Sequence, residues 1–494
     1  MRLAATISTI LWSLLLCGSL LAAPQVEGNH IPDQDIADAI EDEYLFDLAI
    51  DFHKIDVTVT GGIAELEGKV DDLLAKERAT YIAEQVKGVR SVSNRMSVEP
   101  AERRSNSELK RAINDALFKD PVADSYEIDV VADDGLITLT GVVESFAEKQ
   151  LTAKVVKGVR GVTGIVNDIA IEYRANRPDS EIKPEIERKL RWDVLVNDGL
   201  VDVAVDNGKV TLTGTVGSAA EKRVARYSAW VSGVTSVDDS GLDVEWWAND
   251  EDLRKDKYVH KPDHEIAKAI KDAALFDPRV VSVNIDPDVQ DGWVTLRGEV
   301  ADLRARQATE DLAKNTIGVS GVTNLLKVRP IDRPTNVEVK NSVNTALFEN
   351  PVTDSYDIDV TAYSGGVTLT GRVDSAYEKM EAGRVARRTS GVTQVHNYLD
   401  VSAGEAPRGF GFYYPWYVPT LSPRALMSDA AIADEIEDEL WWSPFVDAGE
   451  VNVSVDDGVV TLTGEVDSYR ESKAAVDNAY EGGAERVVNL LDVR

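Results

Sequence analysis

Cysteine is nearly missing from this chain of 494 residues: there is one, Cys17, inside the N-terminal apolar stretch. Once that stretch is removed, neither disulfides nor thiol chemistry are available. Histidine is scarce, with five in all, which leaves little for metal ligation or general-base work. His260 and His264 are four apart, but Pro262 stands between them, so two solvated linker histidines are expected rather than a metal site. No nucleophile elbow and no Gly-Lys-Ser/Thr phosphate loop occurs. The run Asp286-Pro287-Asp288-Val289-Gln290-Asp291-Gly292 fails as a calcium loop. Its glycine is one place late, and Arg297 stands where a bidentate glutamate is needed; a hairpin turn is the expected structure. Beyond the N-terminus no apolar run approaches ~18 residues, so no further membrane span is expected. Positive charge is in deficit too, with 53 Lys and Arg against 86 Asp and Glu and a net charge of -33. Such a surface repels nucleic acid and anionic lipid at long range. Carboxylate pairs arise by chance at this density, so none is read as a glycosidase pair. The expectation is a chain without catalytic residues, metal, cofactor, small-molecule substrate or nucleic-acid partner.

Residues 1–23 read as a secretory signal. Arg2 gives a basic start, residues 3–16 are mostly apolar, and small residues end in Ala22-Ala23, with cleavage expected near Ala22 and an uncleaved anchor as the alternative. Leu16 before Cys17 is too large for a lipidation site. The expected location is therefore the periplasm, free or membrane-associated. The remaining length is too great for one core and predicts several domains.

Those domains are repeats. Gly68, Gly141, Gly214, Gly298, Gly371 and Gly464 each close a Val-Thr-Leu-Thr type segment, at intervals of 73, 73, 84, 73 and 93 residues. Each copy opens with apolar residues at helical i, i+4 spacing, such as Leu109 and Ile113 or Ile432 and Ile436. An aromatic closes that helix: Phe46, Phe118, Trp192, Phe276, Phe348, Trp442. Alternating residues such as Val451, Val453 and Val455 then predict a strand. Asp-Asp-Gly or Asp-Asn-Gly turns, for example Asp206-Asn207-Gly208, predict a hairpin. A second amphipathic helix and a last short strand follow. The expected fold is α+β: six small modules, each helix-strand-strand-helix-strand, with a three-stranded sheet covered by two helices. The expected boundaries are 33–99, 105–172, 179–245, 262–329, 334–402 and 428–494, with linkers at 246–261 and 403–427. Motifs of copies one and two recur 230 residues later, and Glu185-Ile186-Glu187, Leu190 and Trp192 recur 250 later. A three-module block has been duplicated.

The hairpin Val453-Ser454-Val455-Asp456-Asp457-Gly458-Val459-Val460-Thr461-Leu462-Thr463-Gly464 and the closing Gly88-Val89-Arg90-Ser91-Val92-Ser93-Asn94 resemble the BON family. Gly318 to Asn324 and Gly391 to Asn397 repeat the closing motif. Copy three departs with Asp239 in the asparagine place, copy six lacks the valine after Gly483, and copy one has Glu67 before Gly68. The resemblance implies an envelope or periplasmic location and no catalysis. It also implies attachment to membrane phospholipid or an envelope protein, as in osmotically inducible periplasmic proteins with two such modules. It carries no catalytic residue to transfer.

Two features outside the module cores are candidate contacts. Aromatic linkers hold Trp246, Trp247, Phe410, Phe412, Tyr413, Tyr414, Trp416 and Tyr417, which suit a membrane interface, a glycan or a protein partner. The alternative is packing between modules that fixes the array. Basic junctions hold Arg103, Arg104, Arg174, Arg177, Arg329 and Arg333, with Arg254, Lys255 and Lys257 nearby. They suit lipid phosphate or another anion, or else salt bridging between modules. The functional expectation is a non-catalytic envelope binding protein with multivalent contacts; the second is a structural or osmotic-stress-protective repeat protein without a fixed ligand.

Overall fold

The computed structural model describes residues 31–493 apart from 48–49, 121–127, 174–176, 250–252, 254–256, 258–260, 278–279, 281–283, 331–332, 354–356, 374–375, 402–427 and 485. The expected signal segment therefore lies outside the described residues. Among the described residues twelve α-helices come in pairs, two per module. They are α1 (Asp33–Phe46), α2 (Leu73–Ala83), α3 (Asn106–Lys119), α4 (Phe146–Lys157), α5 (Asp179–Trp192) and α6 (Ala219–Ser228) in the first block. In the second are α7 (Asp263–Phe276), α8 (Leu303–Lys314), α9 (Asn336–Glu349), α10 (Ala376–Arg388), α11 (Asp429–Trp442) and α12 (Tyr469–Glu481).

Each module has the expected sheet, and its second strand is central. In module two, Ile128–Asp133 pairs antiparallel with Leu136–Val143, which pairs parallel with Gly164–Ile171 across the α4 crossover. In modules one and four the last strand breaks after Asn94 and Asn324 and resumes at Ser97 and Lys327. One sheet face alternates into the core, as with Val130, Ile137, Leu139 and Ile169 of module two, packed under Leu109, Ile113 and Val156. The other face looks outward, without a covering layer of its own among the described residues.

A lock that the repeat search did not reveal sets the hairpin on the first helix. The first residue of every opening helix is Asp or Asn, and its side chain accepts a backbone N–H from the hairpin turn. The bonds run from Gly61 to Asp33 (2.8 Å), Asp134 to Asn106 (3.0 Å), Asn207 to Asp179 (2.7 Å), Asp291 to Asp263 (3.0 Å), Ser364 to Asn336 (2.9 Å) and Asp457 to Asp429 (3.0 Å). The helix thus gains an acceptor at its electropositive end, and the left-handed turn, φ 51° at Asn207 for example, gains a fixed partner. The would-be calcium run is such a hairpin, turning at Asp291 and Gly292. Gly214 is obligatory: its φ is +120°, and a Cβ there would collide with the Leu200 carbonyl. Gly371 and Gly464 meet the carbonyls of Asp357 and Glu450 in the same way. The closing asparagine ties the last strand to the second helix: Asn94 Nδ2 donates to Lys76 O at 2.9 Å and its Oδ1 accepts from Met96 N. Module three, with Asp239 there, has a register shift between Asp238 and Gly241 instead.

The modules do not hang as beads. In the first block they close on one another in a ring, and one helix position contributes to every step. Leu73 of α2 packs into the core of module two, and Glu77 pairs with Lys157 at 2.9 Å. Phe146 of α4 stacks on Trp230 of module three, centroids 4.0 Å apart. Ala219 of α6 enters the core of module one, while Arg223 pairs with Glu84 at 3.0 Å and lies over Tyr81. The second block repeats the first step, with Leu303 of α8 in the core of module five.

Candidate functional site: the seams between blocks

The two blocks meet along seams that join modules one and six, two and five, and three and four. One bond recurs at all three. The residue before a Gly-Val step donates its N–H to the last carbonyl of an opening helix in the other block. These bonds are Lys87 to Trp442 (3.0 Å), Arg160 to Glu349 (2.7 Å) and Ile317 to Trp192 (3.1 Å). The acceptors are helix C-termini, whose orphan carbonyls need donors. A further bond, Val194 N–H to Asn315 O at 3.1 Å, widens the third seam.

The seam of modules one and six is aromatic. Trp442 packs against the core of module one. The Lys87 ammonium lies 4.1 Å from the Trp441 ring centre and 4.4 Å from that of Trp246. Burial draws the Lys87 ammonium below its usual pKa, partly opposed by Asp447. A cation between two indoles offsets lost hydration with ring quadrupoles. The third module's exit and the sixth module's first helix thus grip the same lysine.

The seam of modules two and five is ionic. Arg160 donates to the carbonyls of Asn350 (3.1 Å) and Thr353 (3.2 Å), and Arg104 pairs with Glu349. Glu381 is fully buried. It accepts from Asn350 Nδ2 at 2.9 Å and from Arg388 at 3.3 Å, and pairs with Arg384. Asp120 takes Arg304 of module four in a two-pronged contact, one arm at 2.8 Å. A cavity of about 100 Å³ sits in this seam. Its walls are equivalent positions of the two modules: Ala112, Ala116 and Val159 face Ser342, Ala346 and Thr389.

The predicted contacts divide. Trp246 is engaged with Lys87 as described, whereas Trp247 remains exposed. Phe410, Phe412, Tyr413, Tyr414, Trp416 and Tyr417 lie outside the described residues, as do Arg174, Arg254 and Lys255. Arg104 bridges modules two and five. Arg177 stays within module three, pairing with Glu185 at 2.6 Å. Arg329 pairs with Glu299 at 3.2 Å on the surface, and Arg103 approaches Asp134 at 3.9 Å. Arg333 is exposed. Lys257 is buried, its ammonium donating to Leu190 O at 3.0 Å and to Val196 O, and pairing with Asp198. The seam residues Lys87, Arg160, Glu381, Trp441 and Trp442 did not stand out as contacts in sequence. Only the adjacent Trp441-Trp442 gave a signal, and Trp442 reads there merely as a helix terminator.

Chemically the seams join charges and rings to one another, which suits assembly. Among the described residues no group of three or more metal-ligating side chains occurs, and no helix is long and apolar enough to cross a membrane.

With that geometry in place, comparison with known proteins is direct. The family model described as BON domain matches residues 32–100, 105–173, 178–245, 262–330, 335–403 and 428–494. The chain is similar to osmotically-inducible protein Y of Escherichia coli (strain K12), 32% identical over 139 residues, spanning 27% of this chain and 69% of that protein. Two solved structures of CdsD, a structural protein of the type III secretion system of Chlamydia trachomatis, are also similar, at 17% and 16% identity. They cover 46% and 43% of this chain and 99% and 100% of their own, each with a TM-score of 0.13.

Proposed function

Because the chain belongs to the BON family through all six of its modules, we propose that it is an osmotic-stress-related binding protein of the periplasmic envelope, acting without catalysis. Phospholipid membrane is the first target class; an envelope protein is the second. The relation to an osmotically inducible protein supports the stress role. The observation that carries the binding role is which surfaces packing leaves over. Helix faces are spent on neighbouring modules, while the outward sheet faces keep large side chains in solvent. Tyr363 is 79% exposed, Tyr398 66% and Trp293 52%, and Val131 and Leu490 are also exposed. Apolar and aromatic groups in such positions favour a partner surface. Because the modules are locked together, these faces act as one multivalent body rather than as independent beads.

Vesicle flotation of the purified chain tests this, using mixtures with and without cardiolipin, beside Trp293→Ala/Tyr363→Ala/Tyr398→Ala and a deletion of residues 405–420. Flotation lost in the triple variant supports the sheet faces; loss in the deletion alone moves the contact to the aromatic linker. Absence of flotation with every mixture removes the lipid target. That outcome favours the second reading, a stress-protective structural protein without a fixed ligand. The specific support for that reading is that Trp246 and Arg104 are both spent on joining modules.

A further inference from the structure

Four of the hairpin turns carry a residue pair that can close on its own backbone: Asp134-Gly135, Asn207-Gly208, Asp291-Gly292 and Asp457-Gly458. Modules one and five have Gly61 and Ser364 in the first place and are exempt. In such a pair the glycine nitrogen, with no Cβ beside it to hinder approach, attacks the side-chain carbonyl carbon of the residue before. A C–N bond forms and closes a five-membered succinimide. The glycine N–H proton departs with the leaving group, as water from aspartic acid or as ammonia from asparagine. Water then opens the ring at either carbonyl. One product is aspartate. The other is isoaspartate, in which the main chain runs through the side-chain carbon. No reagent other than water is consumed.

The four turns share one backbone conformation: φ at the first residue is 45°, 51°, 49° and 49°. They differ in the residue that starts the opening helix. Asp179, Asp263 and Asp429 each have two carboxylate oxygens and use both. One accepts the N–H of the first turn residue. The other accepts the glycine N–H, at 2.9 Å from Gly208, 3.1 Å from Gly292 and 3.0 Å from Gly458. Module two has Asn106 instead. Its one oxygen accepts the Asp134 N–H at 3.0 Å, and its amide nitrogen is a donor that cannot take a second N–H. The Gly135 N–H makes no hydrogen bond among the described residues. The Asp134 side chain is 86% exposed, and its approach to exposed Arg103 at 3.9 Å restrains it little. One further pair, Asp198-Gly199, lies outside the hairpin turns, and its carboxylate is tied to the buried Lys257 ammonium at 3.3 Å.

We propose that Asp134 is the isoaspartate-forming site of the folded protein, and that Asp179, Asp263 and Asp429 guard the other three turns. Ring closure requires the glycine nitrogen to lose its proton and swing onto the neighbouring side chain. A carboxylate that accepts the N–H opposes both steps. The charge-assisted bond must break, and the nearby negative charge disfavours a nitrogen that is giving up a proton. The lock that seats each hairpin on its helix is therefore also a chemical guard, and its asparagine form leaves the glycine unguarded. Isoaspartate at 134 inserts an extra main-chain carbon into a two-residue turn. That draws the Asp134 N–H away from Asn106 and loosens the lock of module two. This modification site goes beyond the envelope-binding role and does not depend on it.

Prolonged incubation of the folded full chain at neutral pH, followed by peptide mapping with electron-transfer fragmentation, tests the site, because that fragmentation separates isoaspartate from aspartate. In the wild type, isoaspartate is expected to accumulate at Asp134 about tenfold faster than at Asp291 or Asp457, the effect of one charge-assisted hydrogen bond. The three turns hold the same Asp-Gly pair, so the wild type alone decides: equal rates, or a faster rate at Asp291 or Asp457, overturn the proposal. Two variants then read the guard directly. Asn106→Asp is expected to slow Asp134 to the rate of Asp291. Asp179→Asn is expected to speed ammonia loss at Asn207 about tenfold, with Asp291 and Asp457 unchanged in the same sample as controls for folding. An Asp134 rate unmoved by Asn106→Asp overturns the proposal, and so does an Asn207 rate unmoved by Asp179→Asn.

Discussion

Two seams built on the same positions hold the blocks together by opposite chemistry. Where modules one and six meet, Lys87, Trp441 and Trp442 occupy the places that Arg160, Phe348 and Glu349 occupy between modules two and five. The backbone bond is common to both. Around it, one seam uses a lysine between two indoles and the other uses Arg160 on the carbonyls of Asn350 and Thr353 and Arg104 on Glu349, next to the buried Glu381 of module five. The difference teaches that the module supplies a docking geometry, while a few side chains decide which module docks where. The ring steps carry the same lesson. Glu77 meets Lys157, Phe146 meets Trp230, and Arg223 meets Glu84. Exchanging partners would set acid against acid, or charge against ring, so the sequence disfavours wrong orders.

The comparison can be broken most forcefully at the ionic seam. Beside that seam, Glu381→Ala takes from Arg384 and Arg388 the buried carboxylate they share and from buried Asn350 its acceptor, and about 3 kcal/mol of stability is expected to go. Chemical denaturation measures it, and a loss below about 1 kcal/mol shows that the network matters little.

Next in size is a pH effect beside the aromatic seam. Glu471 accepts the N–H groups of Asp447 and Asp467 at 2.9 and 3.0 Å. Burial, with Asp467 and Glu450 adding repulsion, pushes its carboxyl up to about 7. Module three has Asn197, Gly217 and Leu200 around the equivalent Glu221, so module six crowds this carboxylate with acids that module three lacks. A raised carboxyl pKa keeps the proton in the folded state after the unfolded chain has lost it. Stability therefore falls as pH rises from about 4.5 to about 7, by on the order of 2 kcal/mol, and levels off above. Melting curves across this range check the slope, and Glu471→Gln is expected to flatten it.

Lys87→Ala removes the cation from between Trp246 and Trp441. A smaller loss of about 1–2 kcal/mol is expected, nearly independent of salt, with a change in tryptophan fluorescence. A strong salt dependence shows that Lys87 acts as an ion pair instead. Smallest of all, exchanging Glu77 with Lys157 is expected to cost under about 0.5 kcal/mol, because both are partly exposed. A double-mutant cycle resolves it.

The module was legible in sequence and the seams were not, for physical reasons. The core repeats because burial repeats: Leu109, Ile113 and Leu139 recur in kind in every copy, at helix and strand spacing. Gly214 and its counterparts stood out because backbone geometry permits nothing else there. The Asp and Asn residues that lock the hairpins were equally regular, but polar residues at helix starts read as ordinary caps. Seam residues differ from copy to copy by necessity, since they distinguish partners. Leu73, Phe146 and Ala219 share one position and look unrelated until the ring is seen. Trp246 read as a candidate outward contact, and its partner Lys87 lies in another module with no spacing rule to join them. Glu381 replaces an equivalent Leu151, a single departure among many surface changes.

Small-angle X-ray scattering of the purified chain tests the closed packing most directly. Modules locked through these seams give a radius of gyration near 23 Å, about what one compact body of this length has. A value above about 35 Å, as for modules strung in a line, would contradict the seams outright.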